Sequence, residues 1–294
     1  MQARAFLAWL PFAGVVVLVG FILRAWLRPE TPMTLLLPLL GLATVVRFVL
    51  LAGGACWVYY GPVRDWVGAP QIQQVWPTRQ QMQRELAWSV STALVFTAMA
   101  GVVFVAARAG VTRMLTTPPD AMEGLRLPLT VGAMLVVHDG YFYALHRFLH
   151  WGPLYRLAHQ VHHRSTYPTP FAAFAFHPVE AVLEAGILPL LAFLLPWRPL
   201  DLGLFALASL SLNVLGHLGH EVFKPGWASH PLLGWLNSST HHNMHHQYVR
   251  GHYGLYSNVW DRCFGTQRPD YLDRFSQVHG GAQEARLTSR SIPG

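Results

Sequence analysis

Charged residues are scarce in this chain of 294 residues: Asp, Glu, Lys and Arg make up 12%, about half the usual share for a soluble domain. Lysine is nearly absent, since Lys224 is the one exception among 21 basic residues and the rest are arginine. The net charge of +7 comes with no basic run and no basic helix face, which excludes a nucleic-acid partner. Cys56 and Cys263 lie far apart, so there is no CxxC, no zinc knuckle and no disulfide framework. Glycine-rich nucleotide fingerprints are missing, as are an HPGG haem-binding element and a cysteine cluster for iron–sulfur. The chain therefore brings no flavin, nicotinamide or iron–sulfur redox group of its own. Histidine is absent from the first 137 residues, although the chain has 16.

What fills the chain is apolar. Hydrophobic residues make up 52%. Residues 6–26, 33–53, 88–107 and 127–149 each approach the roughly 20 apolar residues that a spanning helix needs. The block 179–215 is divided by Pro196-Trp197-Arg198-Pro199 into two shorter pieces, a helical hairpin that crosses or only dips in. The expected fold is all-α: an integral, multi-pass membrane protein with four spans, this hairpin and a cytoplasmic helical cap. The first stretch is too long for a signal-peptide core and no A-x-A site follows closely, so it reads as a retained anchor. Arg47, inside the second stretch, either snorkels or contacts protein. Residues 54–87 and 108–125 read as loops. Arg147, Arg156 and Arg164 follow the fourth stretch, and Lys224, Arg250, Arg262, Arg268 and Arg274 lie further on. The positive-inside rule puts that material, and with four spans both ends, in the cytoplasm of a bacterial inner membrane or its equivalent.

The histidines are clustered, six within residues 138–163 and eight within 217–252. His146 and His150 are four apart in HRFLH. His159, His162 and His163 form HQVHH, and His242, His245 and His246 form HNMHH. On a helix, positions i, i+3 and i+4 share a face, so each HxxHH is expected to aim three imidazoles at one point. Neutral imidazole suits iron, copper, zinc and nickel, and eight donors exceed what one ion holds, so two ions are expected. His217, four after Asn213 in NVLGHLGHE, is a ninth candidate. His220, one turn on, His241, which doubles the start of the last cluster, and His138, about 12 Å before His146 along the axis, are further candidates. Asp139, Tyr143, His146 and His150 line one helical stripe. An aspartate inside a span needs a partner, so Asp139 or Tyr143 is expected to bond a ligand histidine and fix its tautomer. His177, His230 and His279 read as structural.

Taken together, these segments resemble the fatty acid hydroxylase/sterol desaturase superfamily of membrane di-iron enzymes over roughly residues 125–270. HRFLH resembles its first histidine box, HQVHH and HNMHH its two HxxHH boxes, His177-Pro178-Val179-Glu180 its His-Pro-x-Glu element, and Asn213 to His217 its NxxxH element. Tyr253-Gly254 followed by Asp261-Arg262-Cys263-Phe264-Gly265-Thr266 resembles its closing segment. Where the family often has Asn-Tyr-Gly this chain has His252-Tyr253-Gly254, so His252 is either an added ligand or a neutral replacement. The expected division is a membrane anchor over residues 1–125, the catalytic domain over 126–280 and a disordered tail over 281–294.

The resemblance implies a di-iron centre that uses O₂ and two electrons to hydroxylate or desaturate a lipid: a sterol, a fatty acyl chain or a related apolar lipid. The electrons must come from a separate ferredoxin- or cytochrome-type protein, for which the cytoplasmic arginines offer a docking surface. Phe142, Tyr143, Phe174 and Phe176 are candidate channel residues. Two other classes stand beside this one. A membrane zinc hydrolase would need a carboxylate base, Glu180 or Glu221, and far fewer histidines. A non-enzymatic metal or haem carrier would hold its histidines within different spans.

Overall fold

A computed structural model describes residues 31–116 and 121–290, without the side chains of 281–290. Among the described residues the regular structure is helical, and β pairing occurs only as isolated bridges. The expected span 6–26 lies outside them.

Among the described residues, three helices are long and apolar enough to cross a membrane by length and composition. They are α1 (Met33–Tyr60), α2 (Arg79–Arg108) and, further along, α6 (Pro199–Gly216). The outward rows of α1 and α2 are apolar. Leu35, Leu42, Val45 and Val49 on α1, and Val90, Leu94, Val102 and Val105 on α2, are exposed at helical spacing, as a surface solvated by lipid requires. Gly101 lets these helices approach, because a Cβ there would stand 2.5 Å from Leu37 Cδ2. Helix α2 begins earlier than the apolar pattern implies. Thr78 caps it by accepting from the Gln81 N–H, so residues 79–87 are helical and not loop. Residues 54–60 likewise continue α1.

The fourth expected span requires correction. Helix α3 (Glu123–Leu149) forms, yet it is not among the helices apolar enough to cross. Its second half buries His138, Asp139, Tyr143 and His146, and that polar stripe lowers its apolar content. The hairpin also resolves differently. Helices α4 (Pro178–Ala185) and α5 (Ile187–Leu194) are short, whereas α6 meets the length and composition of a span. The Pro196–Pro199 break falls where expected. There Asp201 accepts from the Arg198 N–H at 2.7 Å and pairs with Arg126 at 2.7 Å, tying the first turns of α3 and α6 together.

Two apolar cores hold the helices. One joins Leu36, Phe104, Met134, Leu191, Trp197 and Phe205. The other joins Phe48, Phe174, Phe176, Leu210 and Val214. Beyond α6 follow α7 (Ser239–Tyr248), α8 (Val259–Cys263) and α9 (Tyr271–Arg290).

Candidate metal centre

Helix α7 is polar, yet every residue from Ser239 to His246 is buried. Such burial costs free energy unless each polar group finds a partner. Ser238 caps the helix by accepting from the His241 N–H, and Glu221 accepts from both the N–H and the hydroxyl of Thr240. Ser239 donates to the Leu215 carbonyl. Gly216 permits the close approach of α6, since a Cβ there would lie 3.3 Å from the His242 ring.

The nine candidates singled out by spacing fall into two adjacent groups. His146, His150, His159, His163 and His245 form the first, and His162, His217, His242 and His246 the second, with ligand nitrogens inside each group within 4.8 Å of one another. The HxxHH clusters do not aim three rings at one point. His159 and His163 enter the first group while His162 enters the second, and His242 and His246 enter the second while His245 enters the first. Helix geometry gives the reason. At about 100° per residue, i and i+4 are about 40° apart, but i+3 and i+4 are about 100° apart. The outer pair therefore chelates on one side and the middle residue reaches the other.

Hydrogen bonds fix which nitrogen points inward. His146 Nδ1 lies 2.9 Å from the Tyr253 carbonyl, His245 Nδ1 2.8 Å from that of Gly251, and His246 Nδ1 2.9 Å from that of Ser165. His217 Nδ1 lies 2.8 Å from the Asn213 carbonyl. A carbonyl only accepts, so each Nδ1 carries the proton and each Nε2 presents a lone pair. Those Nε2 atoms converge. His159 stands 3.1 Å from His146, His150 and His163, His245 stands 3.0 Å from His163, and His217 stands 3.1 Å from His242 and 3.2 Å from His246. Facing lone pairs at that distance repel, and a cation between them removes the repulsion. Nitrogens about 2.1 Å from one ion and at right angles lie about 3 Å apart, so the donor set fits a pair of transition-metal ions.

Burial keeps these donors neutral, which is the form that binds metal. It pushes His217 and His245 down to about 4, with their carbonyl bonds opposing the shift. Burial, reinforced by neighbouring imidazoles, holds His159, His163, His242 and His246 well below the usual histidine range.

Several expected partners act elsewhere. Asp139 bonds no histidine; it accepts from the N–H groups of Tyr256 and Ser257 and from the Ser257 hydroxyl. Tyr143 meets the Thr266 hydroxyl at 3.0 Å and stacks on Phe264. Both anchor the closing segment, whose Tyr253 carbonyl orients His146, rather than a ligand ring. Asp261, named in the closing segment but given no role there, accepts from the N–H groups of Tyr253 and Gly254 and from the Thr266 hydroxyl. The carboxylate that does touch a donor is Glu180, 2.7 Å from His159 Nδ1. Its signal was the His177-Pro-x-Glu element, in which His177 caps α4 by accepting from the Val179 N–H.

His138, His220 and His241 lie outside both groups. His138 bonds the Tyr256 hydroxyl at 2.7 Å, His220 packs against Tyr59 and Tyr60, and His241 packs against His252 and Tyr271. His252 is likewise outside; its Nε2 accepts from the Arg268 N–H. The bases considered for a hydrolase are both engaged, Glu180 by His159 and Glu221 by Thr240.

An apolar cavity lies beside this cluster among the helices. Its lining runs along α6 from Pro199 to Asn213, a length of about 21 Å at 1.5 Å per residue. Phe142, Phe174 and Phe176 line it. Phe142 also touches His146, and Phe176 touches His162. Tyr143, the fourth expected channel residue, does not line it.

Fold and site thus define a helical membrane protein with a cluster of nine imidazoles, all buried except the half-buried His150, beside an apolar cavity. Residues 131–266, a little under half of the chain, match the fatty acid hydroxylase family. A Delta(7)-sterol 5(6)-desaturase of Eremothecium gossypii is 32% identical over 149 residues, 50% of this chain and 40% of that protein. The lathosterol oxidase of Homo sapiens is 28% identical over 191 residues, 64% of this chain and 62% of that protein. The matches thus cover less than two thirds of these relatives. No solved structure matches.

Proposed function

We propose that this chain is a membrane di-iron oxidoreductase that hydroxylates or desaturates a lipid with O₂ and two electrons. The observation that carries this reading is the convergence of Nε2 atoms within each group, with the Nδ1 of His146, His159, His217, His245 and His246 already bonded. His146, His150, His159, His163 and His245 would hold one iron, and His162, His217, His242 and His246 the other. Iron held by these donors would supply the O₂ activation that breaking an aliphatic C–H bond requires. Hydroxylation places one oxygen atom in the substrate and releases the other as water. Desaturation removes two hydrogens and releases two waters. Each consumes two electrons and two protons.

The chain's own residues supply the surroundings. Glu180 and the carbonyls of Tyr253, Gly251, Ser165 and Asn213 orient the donors. Asp139 and Asp261 hold the closing segment over them. The apolar cavity aligns a long lipid with the cluster and excludes water. Sterol oxidation is the leading substrate reading, because the relatives bear sterol desaturase and lathosterol oxidase names. The electrons would come from a separate ferredoxin- or cytochrome-type protein, and the arginine distribution supports a cytoplasmic site. The test is iron stoichiometry and Mössbauer spectra of iron-57-reconstituted protein, followed by a lipid screen for mass changes of +16 or −2. About two coupled irons per chain are expected. A single ion, haem iron or failure to retain iron would overturn the proposal.

A further inference from the structure

The second imidazole group leans on a segment that contains no donor of its own, residues 164–176. Ser165 supplies the carbonyl 2.9 Å from His246 Nδ1. The Ala173 carbonyl accepts from the Asn213 side chain at 2.8 Å, and the Asn213 carbonyl in turn holds His217 Nδ1. Phe176 touches the His162 ring, with centroids 5.1 Å apart. Three of the four donors in the second group thus depend on this segment. The bonded donors of the first group depend on Glu180, Gly251 and Tyr253 instead.

The segment is irregular apart from the turn Pro170–Phe174, so its carbonyls need partners from elsewhere. Helix α2 and its approach provide them. Gln73 donates to the Pro168 carbonyl at 2.7 Å, Gln81 to that of Tyr167 at 2.8 Å, Arg84 to that of Arg164 at 3.2 Å and Ser89 to that of Phe171 at 2.9 Å. Gln81, Arg84, Glu85 and Ser89 step by three, one and four, so they share one face of α2. Glu85 stands at the centre of that face. It is 1% exposed in a helix apolar enough to cross a membrane, where a carboxyl group is costly and calls for a functional partner. Two partners are present: the Thr169 hydroxyl donates to its Oε2, and Gln81 donates to its Oε1 at 2.8 Å. Thr169 is fully buried. With its proton given to Glu85, its oxygen accepts from the Phe171 N–H and starts the turn that presents Ala173 to Asn213.

We propose, on the basis of the di-iron reading, that Glu85 is a positioning residue for the second ion. Through Thr169 and Gln81 it fixes residues 164–176, and these set the rings of His217 and His246. Helix α2 lies before residues 131–266, so the metal centre extends into the chain ahead of the matched region.

The test uses single-ion backgrounds. His245→Ala should keep the second ion alone, and His242→Ala the first alone. Glu85→Ala is added to each, and iron retention is followed against increasing chelator in detergent-solubilised protein. In the His245→Ala background it should weaken iron binding about tenfold, the lower end of what a partner behind a ligand contributes. In the His242→Ala background the change should stay within about twofold, as for independent sites. Glu85→Gln, which keeps an acceptor for Thr169, should lose less. If Glu85→Ala does not assemble, Thr169→Val takes its place, because it removes the same bond from the other side. A residue that only holds the fold together would weaken both ions alike. Equal loss in both backgrounds, or no loss in either, would overturn the role of Glu85 and leave the di-iron reading standing. The same selective loss measured on two zinc ions that iron cannot replace would overturn the di-iron reading and leave the role of Glu85 standing.

Discussion

Glu180→Ala perturbs one hydrogen bond at the centre of the first imidazole group. His159 Nε2 is 3.1 Å from three other donors, and its Nδ1 is 2.7 Å from Glu180. Both residues are 1% exposed. Truncation leaves a buried N–H without an acceptor, which costs about 1–3 kcal/mol. Loss of a carboxylate behind a ligand histidine typically lowers metal affinity about 10–100-fold, or about 1.4–2.8 kcal/mol. The two routes agree in size. Glu180→Gln keeps an acceptor oxygen and should lose less than about tenfold. Iron retention would be followed against increasing chelator in detergent-solubilised protein. At a chelator concentration where wild type keeps both irons, Glu180→Ala should keep about one, because His162, His217, His242 and His246 do not depend on this bond. The metal-free variant should also melt somewhat lower than metal-free wild type, because the buried His159 N–H has lost its acceptor. Equal iron retention at every chelator concentration would refute the positioning role.

Other perturbations separate the parts of the site. His245→Ala should lose the first iron and His242→Ala the second, each leaving about one iron per chain by elemental analysis and no turnover. Gly254→Ala should weaken iron binding through His146, because the added Cβ would stand 2.2 Å from the Ser257 carbonyl and 2.9 Å from Asp261 Oδ2; normal iron content would contradict the role given to the closing segment. Metal-free protein should lose stability as the pH falls. His217 and His245 have folded pKa values of about 4, below the unfolded value of about 6.5. The unfolded state therefore binds more protons between those values, and the stability present above pH 6.5 is lost on descending towards 4, by up to ~3 kcal/mol for each histidine. Thermal melts across that range check the sign.

Donor chemistry was legible because an imidazole at i and i+4 means the same thing in any helix. The partition between two groups was also implicit in the sequence, since the angle between i+3 and i+4 follows from 3.6 residues per turn; treating i, i+3 and i+4 as one face hid it. The partners of Asp139 were not legible. Its acceptors are filled by Tyr256 and Ser257, 117 and 118 residues away, and no local pattern pairs such positions. Nor could hydropathy alone rank α3 against α6. The stripe of α3 that faces the cluster is polar because of what it binds, so a count of apolar residues cannot separate a functional inward face from a water-facing one.

Metal site and lipid cavity are also physically coupled through shared walls. Asn213 lines the cavity with its side chain while its carbonyl holds His217 Nδ1. Phe176 and Phe142 each present one surface to the cavity and touch His162 and His146 with another. The burial that keeps the donors neutral is thus supplied by the same side chains that shape the passage for the lipid. Enlarging the passage at Phe176 would admit water to His162 and raise its proton affinity. Lipid selectivity and metal retention are therefore expected to change together at Phe142 and Phe176, and separately at Arg47, which lines the cavity without touching a donor.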